Sequence, residues 1–365
     1  MPDTSYLIPD LPPRFSALLL EWYDLNRRTL PWRGSRDPYV IWVSEVIFQQ
    51  TRIDQGMEYF KRFIGRFPDV GSLASASEDE VLRLWQGLGY YSRARNLHQM
   101  AQWIQGELGG RLPEDFEGLL KMKGVGDYTA SCIASICYGQ PQAAVDGNVH
   151  RVLSRYLGDT TPIGSVSGKK HFKDLAQSLI APARPGDFNE AMMDLGATVC
   201  TPRSPACSSC PLAGGCQALQ LGLTGDLPIR SREQKKVRRT FNYLFVASAN
   251  GLTIRKRQGK DVWQGLYELP LAEGELDGAA LAGYWFSAYG LEVKDPFEVR
   301  RIRHVLSHQV IEIRFFRAAS VSRDEDPPGG SSLLLAPEGE VNRYPFPQPL
   351  AEFLREELKN YGSTL

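Results

Sequence analysis

"LLKMKGVGDYTASCIASICYG" (119–139) is the stretch on which the fold turns. Two runs at helical spacing flank Gly124-Val125-Gly126, so the segment predicts two helices joined by a tight turn. The glycines permit that turn. They also leave backbone N–H groups bare where the second helix starts, a place for an anion such as a phosphate. A lone GxG is usually only a turn. Leu119, Leu120 and Lys123, with a helix on each side, strengthen the hairpin reading.

Just downstream, "QPQAAVDGNVHRVLSRYLG" (140–158) holds an acid with two readings. Ala143-Ala144-Val145 ends on Asp146, and a helical pattern follows through Val149, Val152, Leu153 and Tyr156. Asp is a favoured helix N-cap, because its oxygen accepts backbone N–H bonds. The alternative is a carboxylate placed for chemistry. Upstream, "DPYVIWVSEVIFQQT" (37–51) predicts a helix apolar nearly all round, with Ile41 and Phe48 beside Glu45. A carboxylate there is desolvated and its pKa rises. A raised acid paired with an ionised one is an arrangement that breaks glycosidic bonds. The ordinary reading of Glu45 is a surface or ion-paired residue.

Cys200, Cys207, Cys210 and Cys216 form C-x6-C-x2-C-x5-C, four thiols in a span short enough for one metal centre. Structural zinc usually takes two short knuckles, and only Cys207 and Cys210 make one. The wider gaps fit a four-iron cube better, although both centres accept thiolate.

The remaining sequence sets the organisation. At 365 residues the chain predicts roughly two domains, at ~150 residues each. Lys plus Arg and Asp plus Glu are both 42, so any nucleic-acid surface must be a local patch. No stretch is long and apolar enough to span a bilayer; "SALLLEWYDL" is too short, and a soluble intracellular protein is expected. From residue 12 to about 220 the spacing is helical. "TGDLPIRSREQKKVRRT" then reads as an exposed linker carrying Arg230, Arg232, Lys235, Lys236, Arg238 and Arg239. Beyond it, "FNYLFVAS", "GLTIRKR" and "VIEIRFFRAAS" read as strands, with a hairpin signal at Asn250-Gly251 and a helix in "DGAALAGYWFSAYG". The expected domains are a helical region at 1–220 that includes the cysteine segment 200–216, a linker at 221–237, and an α+β domain at 238–365.

These pieces together resemble the helix-hairpin-helix DNA glycosylases of the endonuclease III superfamily. Within them the chain is most similar to the MutY family of adenine glycosylases. The motifs are "LPWR" (30–33), "WVSEVIFQQT" (42–51), "GLGYYSRARNL" (87–97), "GVGDYTA" (124–130), "VDGNVHRV" (145–152), "FNEAMMDLGATVC" (188–200) and the cysteines. The resemblance covers nearly the whole chain. It implies an all-α glycosylase region with a [4Fe–4S] cluster on the four cysteines, and a Nudix-like α+β domain. By the same resemblance, Glu45 matches the general acid that protonates adenine N7, and Asp146 the carboxylate that stabilises the sugar cation. Tyr128 and Asn148 match residues that orient these acids. Leu30, Trp32, Arg33 and Glu190 match the pocket around the flipped adenine; Gln50, Leu88 and Tyr90 match residues that wedge into the duplex. The implied partner is double-stranded DNA with adenine opposite 8-oxoguanine or G, bound by a monomer. Lyase-competent relatives carry Lys where this chain has Tyr128, so base release without efficient strand cleavage is expected.

In the C-terminal domain, "VWQGLYELP" (262–270) resembles the approach to the Nudix fold. The Glu-rich helix that binds metal in Nudix hydrolases is missing, which disfavours nucleotide hydrolysis. The family reads 8-oxoguanine through Phe-Ser-His; here the segment is Leu306-Ser307-His308, so Ser307 and His308 match and an aromatic side chain is lost. Two alternatives remain at this level. A thymine-mismatch glycosylase of the same fold typically lacks the Nudix-like domain. A non-catalytic DNA-scanning protein has no use for both Glu45 and Asp146.

Overall fold

The computed structural model describes residues 11–229, 236–248, 250–323 and 333–361. The described residues pack as two compact units, 11–75 with 96–229, and 76–95 with those from 236 onward.

The first unit is helical. Its core joins Phe15 and Leu19 of helix Leu11–Asn26 to Val152 and Leu153 of Gly147–Leu157, Phe172 of Val166–Leu179, and Phe188 and Leu195 of Pro185–Thr198. Phe15 meets Tyr156 edge-on at 4.8 Å between ring centres. Cys200, Cys210 and Cys216 pack against this same core, so the cysteine segment closes one side of it. The hairpin is present, with a short first helix, Phe116–Leu120, and a longer second, Asp127–Tyr138. Gly124 turns the chain at φ 85°, and a Cβ there would lie 2.9 Å from Asn96. Gly126, at φ −94°, is the N-cap and has open space around it, so its reason is not steric.

The second unit carries two main sheets. Strands Leu271–Glu273, Val237–Leu244, Gln309–Arg317 and Phe297–Val305 lie side by side in that order; the central pair is parallel and the outer pairs antiparallel. Leu333–Ala336, Gly251–Lys256 and Ala247–Ser248 form the second sheet, with Tyr267–Glu268 paired to Gly251–Lys256. Helix Gln348–Tyr361 covers the first sheet, Phe353 stacking on Phe315 at 3.9 Å. Helix Gly278–Tyr289 sets Trp285 against Phe316 and is capped by Asp277, which accepts from Ala280 N–H at 2.9 Å. "FNYLFVAS", expected as one strand, breaks at Phe245-Val246 and serves both sheets.

Segment 76–95 groups by contacts with the second unit. Asp79 there bonds Lys256 Nζ at 2.6 Å and Tyr267 hydroxyl at 2.9 Å, and Arg95 bonds the Gln264 carbonyl. Helical spacing reports that a face is buried but not which partner buries it. The expected linker at 221–237 is also partly folded: Arg155 Nε donates to Leu227 O at 3.0 Å, and Ile163 N–H to Ile229 O at 3.1 Å. Arg239, read as part of an exposed charge run, pairs with Asp261 and Glu273 at 2.8 and 2.7 Å. Arg230, Arg232 and Lys235 lie outside the described residues.

Candidate active site

The helix Pro38–Phe48 starts on Asp37, whose carboxylate accepts from Tyr39 N–H at 2.9 Å, with Pro38 in its first turn. It is buried on nearly every side, through Tyr39, Ile41, Trp42, Val43, Ser44, Val46 and Ile47. Glu45 is thereby carried into an apolar setting and opens onto a cavity of about 450 Å³. Burial pushes its carboxyl up to about 7, against the opposing pull of a Tyr128 hydrogen bond and the Arg33 charge. Tyr128 comes from the second hairpin helix. Its hydroxyl serves Glu45 and also approaches Met193 Sδ at 3.3 Å, and burial raises its pKa well above the ordinary tyrosine value.

Asp146 lines the same cavity, and it is also the N-cap of Gly147–Leu157. Its Oδ1 accepts from Asn148 and Val149 N–H, both at 2.8 Å, and its Oδ2 from Asn148 Nδ2 at 2.7 Å. Asp146 therefore caps the helix and faces the cavity at once. Three N–H donors surround a carboxylate whose face is open to the cavity.

Leu30, Trp32, Arg33, Asn148 and Glu190 line this cavity with the two acids. Trp32 stacks on Phe48 at 4.6 Å and meets Phe60 edge-on at 5.0 Å, which fixes one wall. Arg33 pairs with Glu190 at 2.5 Å and Asp194 at 2.8 Å. Tyr23 hydroxyl donates to Glu190 at 2.5 Å.

The residues expected to enter a duplex divide. Gln50 and Tyr90 are exposed and sit at positive φ, 57° and 48°, so each tops a strained turn. The Arg93 guanidinium lies over the Tyr90 and Trp85 rings and donates to Gly89 O at 3.2 Å. Leu88 differs: it is buried, between Gly87 and Gly89 at φ 105° and 73°, and does not project. Ser307 and His308 form the exposed tip between strands Phe297–Val305 and Gln309–Arg317, with their side chains 3.2 Å apart. Leu306 beside them is half-buried.

Several site residues carry no signal in local periodicity. Arg151 Nη2 donates to Asn148 Oδ1 at 2.8 Å and to Gly196 O at 2.6 Å, while its Nε donates to Cys200 O at 2.6 Å. It thus braces the Asp146–Asn148 turn against the cysteine segment. His150 Nδ1 lies 2.8 Å from Asp146 O, and burial pushes its pKa down. The i, i+3 spacing of Asn148 and Arg151 is a signal that could have found the brace. Gly196 lets the two helices approach: an added Cβ would stand 2.6 Å from Asn148 Cβ and 3.1 Å from its Cα. Gly196→Ala should cost ~1–3 kcal/mol of unfolding free energy in a denaturant titration. A loss under ~0.5 kcal/mol would mean that the helices simply part.

Cys200, Cys207, Cys210 and Cys216 line one cavity with Arg155, and none of the four is in a disulfide. Arg155 Nη1 donates toward Cys200 Sγ at 3.4 Å. Among the described residues no three Cys, His, Asp or Glu side chains gather around a single-ion site. Four thiols around an apolar cavity beside a cation fit a multinuclear cluster better than one zinc ion.

Comparison with known proteins assigns the helical and the sheet-bearing regions separately, and keeps 76–95 with the helical one. Residues 43–180 match the HhH-GPD superfamily of base excision DNA repair proteins. Residues 200–216 match the iron–sulfur binding domain of endonuclease III, and residues 242–356 a NUDIX domain. The adenine DNA glycosylase of Buchnera aphidicola subsp. Schizaphis graminum is 36% identical over 304 residues, covering 82% of this chain and 86% of that protein. The mouse adenine DNA glycosylase is 47% identical over 222 residues; the match covers 58% of this chain but only 43% of the mouse protein. A solved thermostable thymine-DNA glycosylase aligns with a TM-score of 0.53 at 28% identity, covering 57% of this chain and 95% of that one. The first unit thus has the helix-hairpin-helix glycosylase fold with an Fe–S segment, and the second is Nudix-like. No described helix is long and apolar enough to cross a membrane.

Proposed function

The chain belongs to the adenine DNA glycosylases of the helix-hairpin-helix superfamily, and we propose that it excises adenine opposite 8-oxoguanine or G in duplex DNA. It would initiate base excision repair inside the cell, as a monofunctional enzyme and a monomer. The observation that carries this reading is the pairing of a raised acid, Glu45, with an N–H-bound carboxylate, Asp146, in one base-sized cavity.

Adenine stacked in a duplex must first be extruded, at a cost of a few kcal/mol. Gln50 and Tyr90, each exposed at a positive φ, are assigned to fill the space left behind. Trp32, Arg33 and Glu190 hold the base, and Glu45, protonated near neutral pH, donates its proton to N7. The C1′–N9 bond then breaks with its electron pair leaving on adenine. Asp146 balances the positive charge on the sugar, and water adds at C1′ and gives its proton to the Glu45 carboxylate to leave an abasic site. Tyr128 keeps the Glu45 proton in place, and Asn148 holds the Asp146 carboxylate. No lysine is among the described residues lining the cavity, which supports base release without a Schiff base.

The four cysteines are assigned to a [4Fe–4S] cluster, which when bound ties residues 200–216 into one loop. Through Arg151 that loop backs Asn148. Ser307 and His308 are assigned to the lesion base.

The test is single-turnover base release from duplexes with A opposite 8-oxoguanine, A opposite G, and T opposite G, with and without alkali. Adenine release fastest opposite 8-oxoguanine, with strand breaks mainly after alkali, is the expected result. Thymine release would move the assignment to a thymine-mismatch glycosylase. Breaks without alkali would remove the monofunctional reading. The thymine glycosylase alignment leaves over two-fifths of this chain without a counterpart, which favours adenine.

A further inference from the structure

Arg28 and Arg33 line the catalytic cavity, and both are held by a residue that does not reach it. Asp194 is 0% exposed. Its carboxylate accepts from Arg28 Nε at 2.8 Å, Arg28 Nη2 at 2.5 Å, Arg28 backbone N at 3.1 Å and Arg33 Nη2 at 2.8 Å. Asp194 follows Glu190 by one turn of Pro185–Thr198, so the two carboxylates share a helix face. They grip Arg33 from two sides, Glu190 at Nη1 and Asp194 at Nη2. Among the described residues no partner reaches the buried Arg33 Nε. The guanidinium therefore sits where the two acids put it, and not where all its donors would be satisfied. A side chain that only filled space would not need to be a carboxylate with four donors.

We propose that Asp194 is a positioning residue of the excision reaction: it fixes Arg28 and Arg33 against the extruded base, and so sets the rate of bond cleavage. The proposal rests on the glycosylase reading above. Its effect passes through the two arginines, since they line the cavity and Asp194 does not. Displacing a positioning group by about 1 Å costs about 100-fold in rate, and losing the shared carboxylate releases Arg28 while leaving Arg33 held by Glu190 alone.

Asp194→Asn keeps the side-chain shape and removes the charge. Its affinity for a duplex holding a non-hydrolysable 2′-fluoro adenosine opposite 8-oxoguanine should stay within about threefold of wild type, while the single-turnover rate falls about 100-fold. A purely structural role would not separate the two measurements. Asp194→Glu keeps the charge but moves the carboxylate by one methylene. It should hold wild-type affinity at a rate about tenfold lower, and it decides the matter if the asparagine protein does not fold. A wild-type rate in the deciding variant, or an affinity that falls as far as the rate, overturns the proposal. Wild-type protein assayed alongside keeps the two readings apart. If it releases thymine, the substrate assignment fails and Asp194 is judged on thymine release. If it releases no base, both fall.

Discussion

Glu45→Gln should lose adenine excision by ~10²–10⁴-fold, the usual worth of a general acid, while stabilising the fold above pH 7. The sign follows from the folded-state shift. The Glu45 carboxyl ordinarily ionises near 4.5, and burial pushes it up to about 7. Between those values the folded chain holds a proton that the unfolded chain has released, so stability falls as pH rises through that window. Glutamine carries no such penalty. The unfolding midpoint of the variant should match wild type near pH 4 and exceed it at pH 8, by an amount on the order of 1–3 kcal/mol. The penalty is moderated because part of Glu45 faces the open cavity. Wild-type excision should hold steady below about 7 and fall roughly tenfold per unit well above it, as the proton donor is lost. Near-wild-type turnover by the glutamine variant would remove Glu45 from its role. Equal stability at pH 4 and pH 8 would show that the carboxyl is not desolvated.

Asp146→Asn should retain duplex binding and lose excision by ~10²–10³-fold, the scale of one removed electrostatic stabiliser. This substitution separates the two things Asp146 does. Asparagine is about as good an N-cap as aspartate, so the helix Gly147–Leu157 should lose at most ~1 kcal/mol. That small cost comes from Asn148 Nδ2, which would face an amide nitrogen unless one of the two amides turns. Charge, in contrast, is lost completely. If capping were all that Asp146 supplied, the variant would excise at nearly the wild-type rate. Calorimetry and single-turnover assays on the same preparation distinguish the cases.

The parts of the site visible in the sequence are those with local grammar. Glu45 stood out because a helix apolar on all sides has nowhere polar to put a carboxylate. Asp146 stood out because an apolar run ended on it and a helix began. The cysteines announced themselves by spacing. Other features are set by pairing between distant residues, which leaves no periodic trace. Arg28 and Asp194 meet across 166 positions, and Arg151 reaches Cys200 across 49. Leu88 turns inward because of the two glycines beside it, a backbone effect that a motif match does not show. The fold of each unit followed from period and punctuation; the allegiance of 76–95 did not, since amphipathic spacing is silent about which surface will cover it.

That borrowed segment has a temporal consequence. Asp79 leaves the ribosome with the first unit, yet Lys256 and Tyr267, which it bonds, follow 177 and 188 positions later. At ~5–20 residues per second, that carboxylate waits roughly 9–38 s during synthesis before either partner exists. The tie is therefore a late event on the ribosome, made only after the whole helical half has been synthesised.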